Sequence, residues 1–285
     1  MKRIAILGPG LLGGSIALGL AHIPDLQIRM WGRRVEVLQE ASASGIASFT
    51  STNVQEVVDG ADTVILCVPV GVMRGLIQDA LPALSPDALV TDVGSVKKSV
   101  VDELAPLLHG KALFVGSHPM AGSEKAGLSA AKKDLFHRTV CILTPEAHRT
   151  PPQAIEKARV LWETLGCRVR TLTPEVHDRV CAQISHVPHV AAAALVNMVS
   201  EMEPEAFGFF GAGFRDTTRV AAGLPSMWSE ILLTNRDAVS SGLRGLISQL
   251  ESVLTILEQD DRSATAPLEA FLSAAKERRD RLHLS

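Results

Sequence analysis

The chain has 285 residues, 46% of them hydrophobic and 21% charged, enough to bury one large core or two ordinary ones. A net charge of −3 gives no electrostatic case for nucleic acid or an anionic membrane as partner, and no apolar run approaches the ~20 residues of a membrane span. The four cysteines, Cys67, Cys141, Cys167 and Cys181, form no CxxC pair and read as reduced thiols of a cytoplasmic protein.

The N-terminus, MKRIAILGPG, is basic and then apolar. Its apolar stretch breaks at Gly8-Pro9-Gly10, so it reads as a first strand rather than a signal peptide. Short β-rich runs lie at Arg3–Leu7, Gln27–Trp31, Thr63–Val68, Leu89–Asp92, Ala112–Val115 and Thr139–Leu143. Helical stretches such as Leu11–Ala21 and Val70–Leu81 lie between most of them. This alternation predicts an α/β fold, a Rossmann-type doubly wound and mostly parallel sheet covered on both faces. Pro151-Pro152 open a helix to about Leu165, and Cys167–Leu172 reads as one more strand.

After Thr173-Pro174 the pattern turns all-helical, over about Pro174–Met202, Pro225–Gln259 and Pro267–Leu282. The expectation is two domains: residues 1–172 for a dinucleotide, and residues 173–285 helical. The stretch AAAALVNMV is apolar nearly all round and is expected to be buried.

The first strand leads into Gly8-Pro9-Gly10-Leu11-Leu12-Gly13, a GxGxxG at the start of a helix. Gly8 allows the tight turn, Gly10 a close backbone approach to a pyrophosphate, and Gly13 close packing of helix on strand. The free N–H groups of the helix start then hold the phosphates. Val68 and Pro69, where the run from Thr63 ends, join Gly8, Gly10, Leu11, Leu12 and Gly13 as expected cofactor contacts. A site selective for NAD places an acidic residue after the second strand, to hold the ribose 2′-hydroxyl. Here the strand ends in Gly32-Arg33-Arg34, and the first carboxylate is Glu36. Two guanidinium groups suit a 2′-phosphate, which points to NADP, with NAD as the alternative if Arg33 and Arg34 only begin a solvated helix.

Directly after Ala112–Val115 comes GSHPMAGSEKAG, carrying His118 and Ser123. It is too polar and too rich in glycine for core, and reads as a loop or as the floor of a site. His177, His186 and His189 share one helical segment, HDRVCAQISHVPHV. Pro188 lacks an N–H, which leaves the carbonyl of Ile184 without its helical partner and predicts a kink. The histidines there are either a site wall or core and capping groups, the latter reading being stronger for His177. No cysteine or carboxylate completes a familiar zinc spacing, so no metal is expected. Arg215, Asp216 and Arg219 cluster with glycine and threonine in GAGFRDTTR. Guanidinium binds carboxylate bidentately, so Arg219 is a candidate anion clamp, and Arg215 reads better as a salt-bridge partner. In DVGSVKK, Ser95 follows a strand at the sheet's carboxyl edge, as a site hydroxyl or as an N-cap.

GLLGGSIAL, DVGSVK, GSHPMAGSEKAG, HDRVCAQISHVPHVAAAAL and GFRDTTRVA followed by MW resemble, in order, the blocks of the prephenate/arogenate dehydrogenases of tyrosine biosynthesis. The resemblance covers nearly the whole chain, and GSHPMAGSEKAG and ISHVPH are its specific parts. It implies oxidative decarboxylation of a cyclohexadienol, prephenate or alternatively arogenate, with hydride passing to NAD(P). His118 would take the proton of the ring 4-hydroxyl, and Ser95 would join it in the catalytic set. Arg219 would bind a substrate carboxylate, with His189, Ser123, His186 and Asp216 around the same substrate. A homodimer through the helical domain is also implied, and no appended regulatory domain is expected. A β-hydroxyacid dehydrogenase or imine reductase also joins a Rossmann domain to a helical one, but would leave GSHPMAGSEKAG without a purpose.

Overall fold

The computed structural model describes residues 1–122, 125–202, 205 and 208–282. By spatial compactness the chain forms two units, Met1–Arg236 and Asp237–Ser285.

The first unit begins with β1 (Arg3–Leu7), α1 (Leu11–Leu20), β2 (Gln27–Trp31), α2 (Val35–Ala43), β3 (Phe49–Ser51) and α3 (Val54–Val58). It continues with β4 (Thr63–Leu66), α4 (Val70–Ala80), β5 (Leu89–Asp92), α5 (Lys98–Leu108) and β6 (Leu113–Phe114). These six strands make one sheet in the order β3-β2-β1-β4-β5-β6, with every neighbouring pair parallel. The chain starts at β1, winds outward to β3, and returns beside β1 with β4. The β1/β4 seam is therefore the topological switch point, where doubly wound sheets bind ligands at their carboxyl edge.

β1 shows why the sheet is covered on both sides. Ile4 and Ile6 enter one core with Ile16, Leu20 and Trp162, while Ala5 and Leu7 enter another with Met73, Ile77 and Leu104. Alternate side chains of a strand point to opposite faces, so a strand apolar at every position must be buried twice.

A second, smaller sheet follows, of β7 (Gly116–Pro119), β8 (Val140–Thr144) and β9 (Arg168–Thr171), with α6 (Pro152–Thr164) between β8 and β9. β7 and β8 are antiparallel, β8 and β9 parallel. This corrects the reading of residues 116–119 as loop: all four are buried strand. Glycine and proline argue against a strand by propensity, and tertiary pairing overrides them here.

The helical part of the first unit holds α7 (Pro174–Cys181), a π-helical turn (Ala182–His186), α8 (Val187–Met202), α9 (Ala212–Thr218), a 3₁₀ turn (Arg219–Ala222) and α10 (Pro225–Thr234). The π turn lies just ahead of Pro188, so the helix answers the missing N–H by widening. α11 (Arg236–Leu257) and α12 (Asp261–Arg281) follow. The single helix expected from Pro225 to Gln259 is thus broken at Asn235, whose backbone leaves the helical region.

The expectation that AAAALVNMV is buried fails within one chain. Leu195 is 37% and Met198 47% exposed on α8, and only Ala192 of the run is buried. α11 likewise exposes Ile247, Leu250, Leu254 and Leu257, a single stripe at spacings of three and four residues. Among the described residues no helix is long and apolar enough to cross a membrane.

Candidate active site

The glycine loop lies at the carboxyl end of β1, against the ends of β2 and β4. Gly8 has φ +127°, and a Cβ on it would stand 2.3 Å from the carbonyl oxygen of Cys67. Its N–H donates to the carbonyl of Trp31, which ties the loop to β2 (3.0 Å). A Cβ on Gly13 would stand 2.1 Å from the Gly8 carbonyl oxygen. Gly10, the residue before α1, has nothing within 4 Å of its Cβ position. Two glycines are thus demanded by the protein's own backbone, and the third leaves open space at a helix N-terminus. A pyrophosphate fits such a cradle.

The other expected cofactor residues surround it. Leu11 and Leu12 open α1, half-buried. Val68 packs beside Gly8, and Pro69 precedes α4. Gly32 is pressed against Pro9, and Arg33 and Arg34 follow it, both exposed. The first turn of α4 is held from the helical region, where Glu230 of α10 accepts the N–H of Gly71 at 2.6 Å.

His118 stands on β7, opposite Ile142 of β8. β5 and α6 anchor β7: Ser117 N–H donates to Asp92 Oδ1 at the carboxyl end of β5 (3.0 Å), and Trp162 Nε1 of α6 donates to Ser117 Oγ (3.0 Å). Lys97, fully buried, forms an ion pair with Asp92 and donates to the carbonyl of Ser117 (2.9 Å). A buried cation paired on one side and bonded on the other is a rigid strut, and removing one partner would strand the other's charge. Ser95 lies half-buried in the turn between β5 and α5.

The ring of His118 is 8% exposed, and its Nδ1 lies 2.9 Å from Nε2 of His177, which is fully buried on α7. His177 Nδ1 in turn lies 2.8 Å from Asp178 Oδ1. Asp178 also accepts the N–H groups of Lys97 (2.7 Å) and Lys98 (2.9 Å) at the start of α5. Burial, the neighbouring His177 and the Lys97 ammonium hold His118 well below the usual histidine range, so it is neutral. Burial lowers His177 as well, although its bond to Asp178 opposes this. Burial pushes the Asp178 carboxyl up, but the His177 bond and the two backbone donors outweigh it, so the group stays a carboxylate. Cys181 Sγ lies 3.3 Å from His177 Nε2, and burial pushes its thiol up to about 12.

Among the described residues, His118, His177 and Cys181 are the group whose donor atoms approach closely enough to share a metal ion, within 4.8 Å. Their arrangement is that of a hydrogen-bonded cluster. The ring nitrogens of His118 and His177 face each other at 2.9 Å, and the Cys181 thiol lies 3.3 Å from the same His177 nitrogen.

His186 and His189 converge on Trp228 of α10. The His189 ring is stacked on the indole, and His186 meets it edge-on at 6.1 Å. Asn235 Nδ2 reaches both the carbonyl of Asp178 (2.8 Å) and His186 Nδ1 (3.3 Å). His186 Nε2 and His189 Nδ1 are buried with no partner among the described residues. Buried polar atoms are rarely left so, and two on rings that meet the same indole suit a polar ligand. Arg219 is exposed on the 3₁₀ turn that leads to Gly223, which packs on Trp228 and His189. Asp216 is exposed on α9. Ser123 lies outside the described residues.

The sequence assigns no role to Lys97, Asp178, Trp228 or Asn235, and favours a core or capping role more for His177 than for His186. Each acts through a contact made across tens of residues. The only local signal was a histidine-aspartate pair opening the segment that holds His186 and His189.

The nucleotide-binding domain of prephenate dehydrogenase matches residues 25–171, and the dimerization domain of prephenate dehydrogenase matches residues 173–271. A cyclohexadienyl dehydrogenase of Zymomonas mobilis is 39% identical, over 91% of this chain and 90% of that one. The prephenate dehydrogenase of Aquifex aeolicus, solved with hydroxyphenyl propionate and NAD+, superposes with a TM-score of 0.91 at 32% identity, over 99% of this chain and 98% of that one. An arogenate dehydrogenase of Synechocystis superposes with a TM-score of 0.84 at 27% identity, over 98% and 99% of the two chains. With its parallel six-stranded sheet and helical C-terminal region, the chain belongs to the prephenate dehydrogenase family.

Proposed function

We infer that the protein oxidatively decarboxylates prephenate to 4-hydroxyphenylpyruvate, with hydride transfer to NAD(P)+, in tyrosine biosynthesis. The observation that carries this reading is the state of His118. It is a neutral imidazole fixed through one ring nitrogen, at the carboxyl end of β5, two strands from the glycine loop.

Gly8, Gly10, Gly13, Leu11, Leu12, Val68 and Pro69 hold the dinucleotide. When bound, its oxidised nicotinamide supplies the hydride acceptor. His118 Nε2 accepts the proton of the ring 4-hydroxyl as the hydrogen on the same carbon departs as hydride. That carbon becomes a carbonyl. The bond from the ring to its carboxylate then breaks, its electron pair runs through the ring to the carbonyl oxygen, and His118 returns its proton there. Carbon dioxide leaves, the ring is aromatic, and no net proton is consumed. Ser95 bonds the reacting hydroxyl. Arg219 holds a substrate carboxylate, and His189, His186, Ser123 and Asp216 line the remainder of the site. The two unpartnered ring nitrogens support this placement of His186 and His189.

NADP is the preferred cofactor in this account, on the strength of Arg33 and Arg34 at the end of β2 with no carboxylate beside them. Residues 1–172 serve the cofactor, and residues 173–285 serve substrate and dimerisation. The exposed apolar residues of α8, and those of α11, suit burial against a second copy of the chain. The enzyme is placed in the cytoplasm, and neither nucleic acid nor membrane is a partner. Arogenate is the second reading, favoured by the superposition on the Synechocystis enzyme. An absorbance assay crossing prephenate and arogenate with NAD+ and NADP+ tests all of this. Reduction of cofactor with prephenate, faster with NADP+, is expected. Reduction with arogenate alone would transfer the reading to that substrate, and reduction with neither would end it.

A further inference from the structure

We propose that His177 and Asp178 are positioning residues that set the tautomer of His118, so that its Nδ1 carries the hydrogen and its Nε2 is bare toward substrate. This rests on the reading of His118 as the proton acceptor.

The argument is one of donors and acceptors. A carboxylate has no hydrogen to give, so at 2.8 Å the Nδ1 of His177 must be the donor to Asp178. Asp178 is held as that acceptor by two further donors, the backbone N–H groups of Lys97 on Oδ1 and Lys98 on Oδ2. Neutral His177 with hydrogen on Nδ1 has a lone pair on Nε2. Facing that lone pair at 2.9 Å, His118 Nδ1 must donate. A protonated Cys181 thiol 3.3 Å away is a second donor aimed at the same Nε2. A neutral imidazole has one N–H, so His118 Nε2 is left bare.

The chain also serves the moment of proton transfer. Once Nε2 has accepted the substrate proton, the imidazolium still donates to His177, whose far side rests on a carboxylate. Positive charge at His118 is thereby met through two bonds in a site with little water. The three members come from two elements, His118 from β7 and His177 with Asp178 from α7, and the start of α5 orients the carboxylate. α7 opens with the cap of Thr173 and buries this face.

Three variants separate the roles. His177→Leu removes the acceptor. His177→Gln keeps one acceptor for His118 and one donor for Asp178. Asp178→Asn sets an NH2 against a donor in either orientation, since both carboxylate oxygens accept a backbone N–H. Expected are kcat losses of about 100-fold or more for His177→Leu and Asp178→Asn, with KM for prephenate and cofactor affinity within about threefold of wild type, and recovery of at least about 10-fold with His177→Gln. Long-range ¹H–¹⁵N NMR on histidine-labelled wild-type protein reads the tautomer without substrate. The His118 signals should show hydrogen on Nδ1 and a bare Nε2. Hydrogen on Nε2 in the wild type, or a His177→Leu enzyme within about twofold of wild-type kcat, would overturn the proposal. The expected tautomer in a protein that turns over neither prephenate nor arogenate would support the assignment of the ring nitrogens while removing the reaction assigned to them.

Discussion

The imidazole of His189 lies flat on the indole of Trp228, with ring centroids 3.6 Å and planes 9° apart. The stack joins α8 to α10 and leaves His189 Nδ1 buried without a partner among the described residues. Gly223 makes it possible. A Cβ there would stand 2.2 Å from Trp228 Nε1 and 3.3 Å from His189 Cε1. Its φ of −64° is open to any residue, so the demand is for space alone. Gly223→Ala should therefore displace the stack, cost about 1–3 kcal/mol of stability by overpacking, and raise KM for prephenate. Denaturation midpoints and steady-state kinetics check it. An alanine variant unchanged in both would mean that the stack moves aside freely.

Arg219→Ala should act on binding. A charged hydrogen bond to a carboxylate contributes about 1.5–3 kcal/mol, so KM for prephenate should rise roughly 10- to 100-fold with a smaller change in kcat. An unchanged KM would assign the carboxylate to another group.

Replacing Arg33 and Arg34 together by alanine should weaken NADP+ more than NAD+, because only NADP+ offers a 2′-phosphate. Fluorescence titration with both cofactors is the measurement. Equal losses would leave the two arginines as a solvated start to α2.

Acid should destabilise the fold in a defined window. Burial depresses His118, His177 and His189, and takes His186 to about 4. In the unfolded chain these rings titrate near ~6.5. Above that pH neither state binds the protons and stability is unaffected. Between ~6.5 and the folded values, the unfolded chain takes protons that the folded chain refuses, so stability falls as pH drops. For His186 the loss levels off below about 4. Asp178 adds to it lower down, since its depressed carboxyl contributes stability that is lost only in stronger acid. Urea midpoints should be level from pH 8 to 7 and should fall from about pH 6.5 downward. A midpoint constant to pH 5 would mean that these rings titrate normally in the fold.

Much of this protein is legible in its sequence because its chemistry sits in local patterns. The glycine loop is defined by spacing and by what precedes and follows it, and the structure demands Gly8 and Gly13 as the pattern implies. Alternating apolar runs located the strands of the main sheet to within two residues at either end, except β3, which is only three residues long. The failures are tertiary. β7 is a strand only because β8 pairs with it, and no propensity announces Gly-Ser-His-Pro as one. Asp178 binds the start of α5 from 81 residues away, and His177 meets His118 across 59. Such partners have no sequence period. AAAALVNMV was misplaced for a related reason: apolarity favours cover for a face, without saying that its own chain supplies it.

The most direct test of the account is prephenate-dependent reduction of NADP+ by wild-type protein and by His118→Asn, with cofactor affinity measured alongside. Asparagine keeps a polar group of similar reach but cannot take a proton near neutral pH. The account predicts cofactor binding within about twofold of wild type and turnover reduced on the order of 10²- to 10⁴-fold. Near-normal turnover in the asparagine enzyme would contradict it.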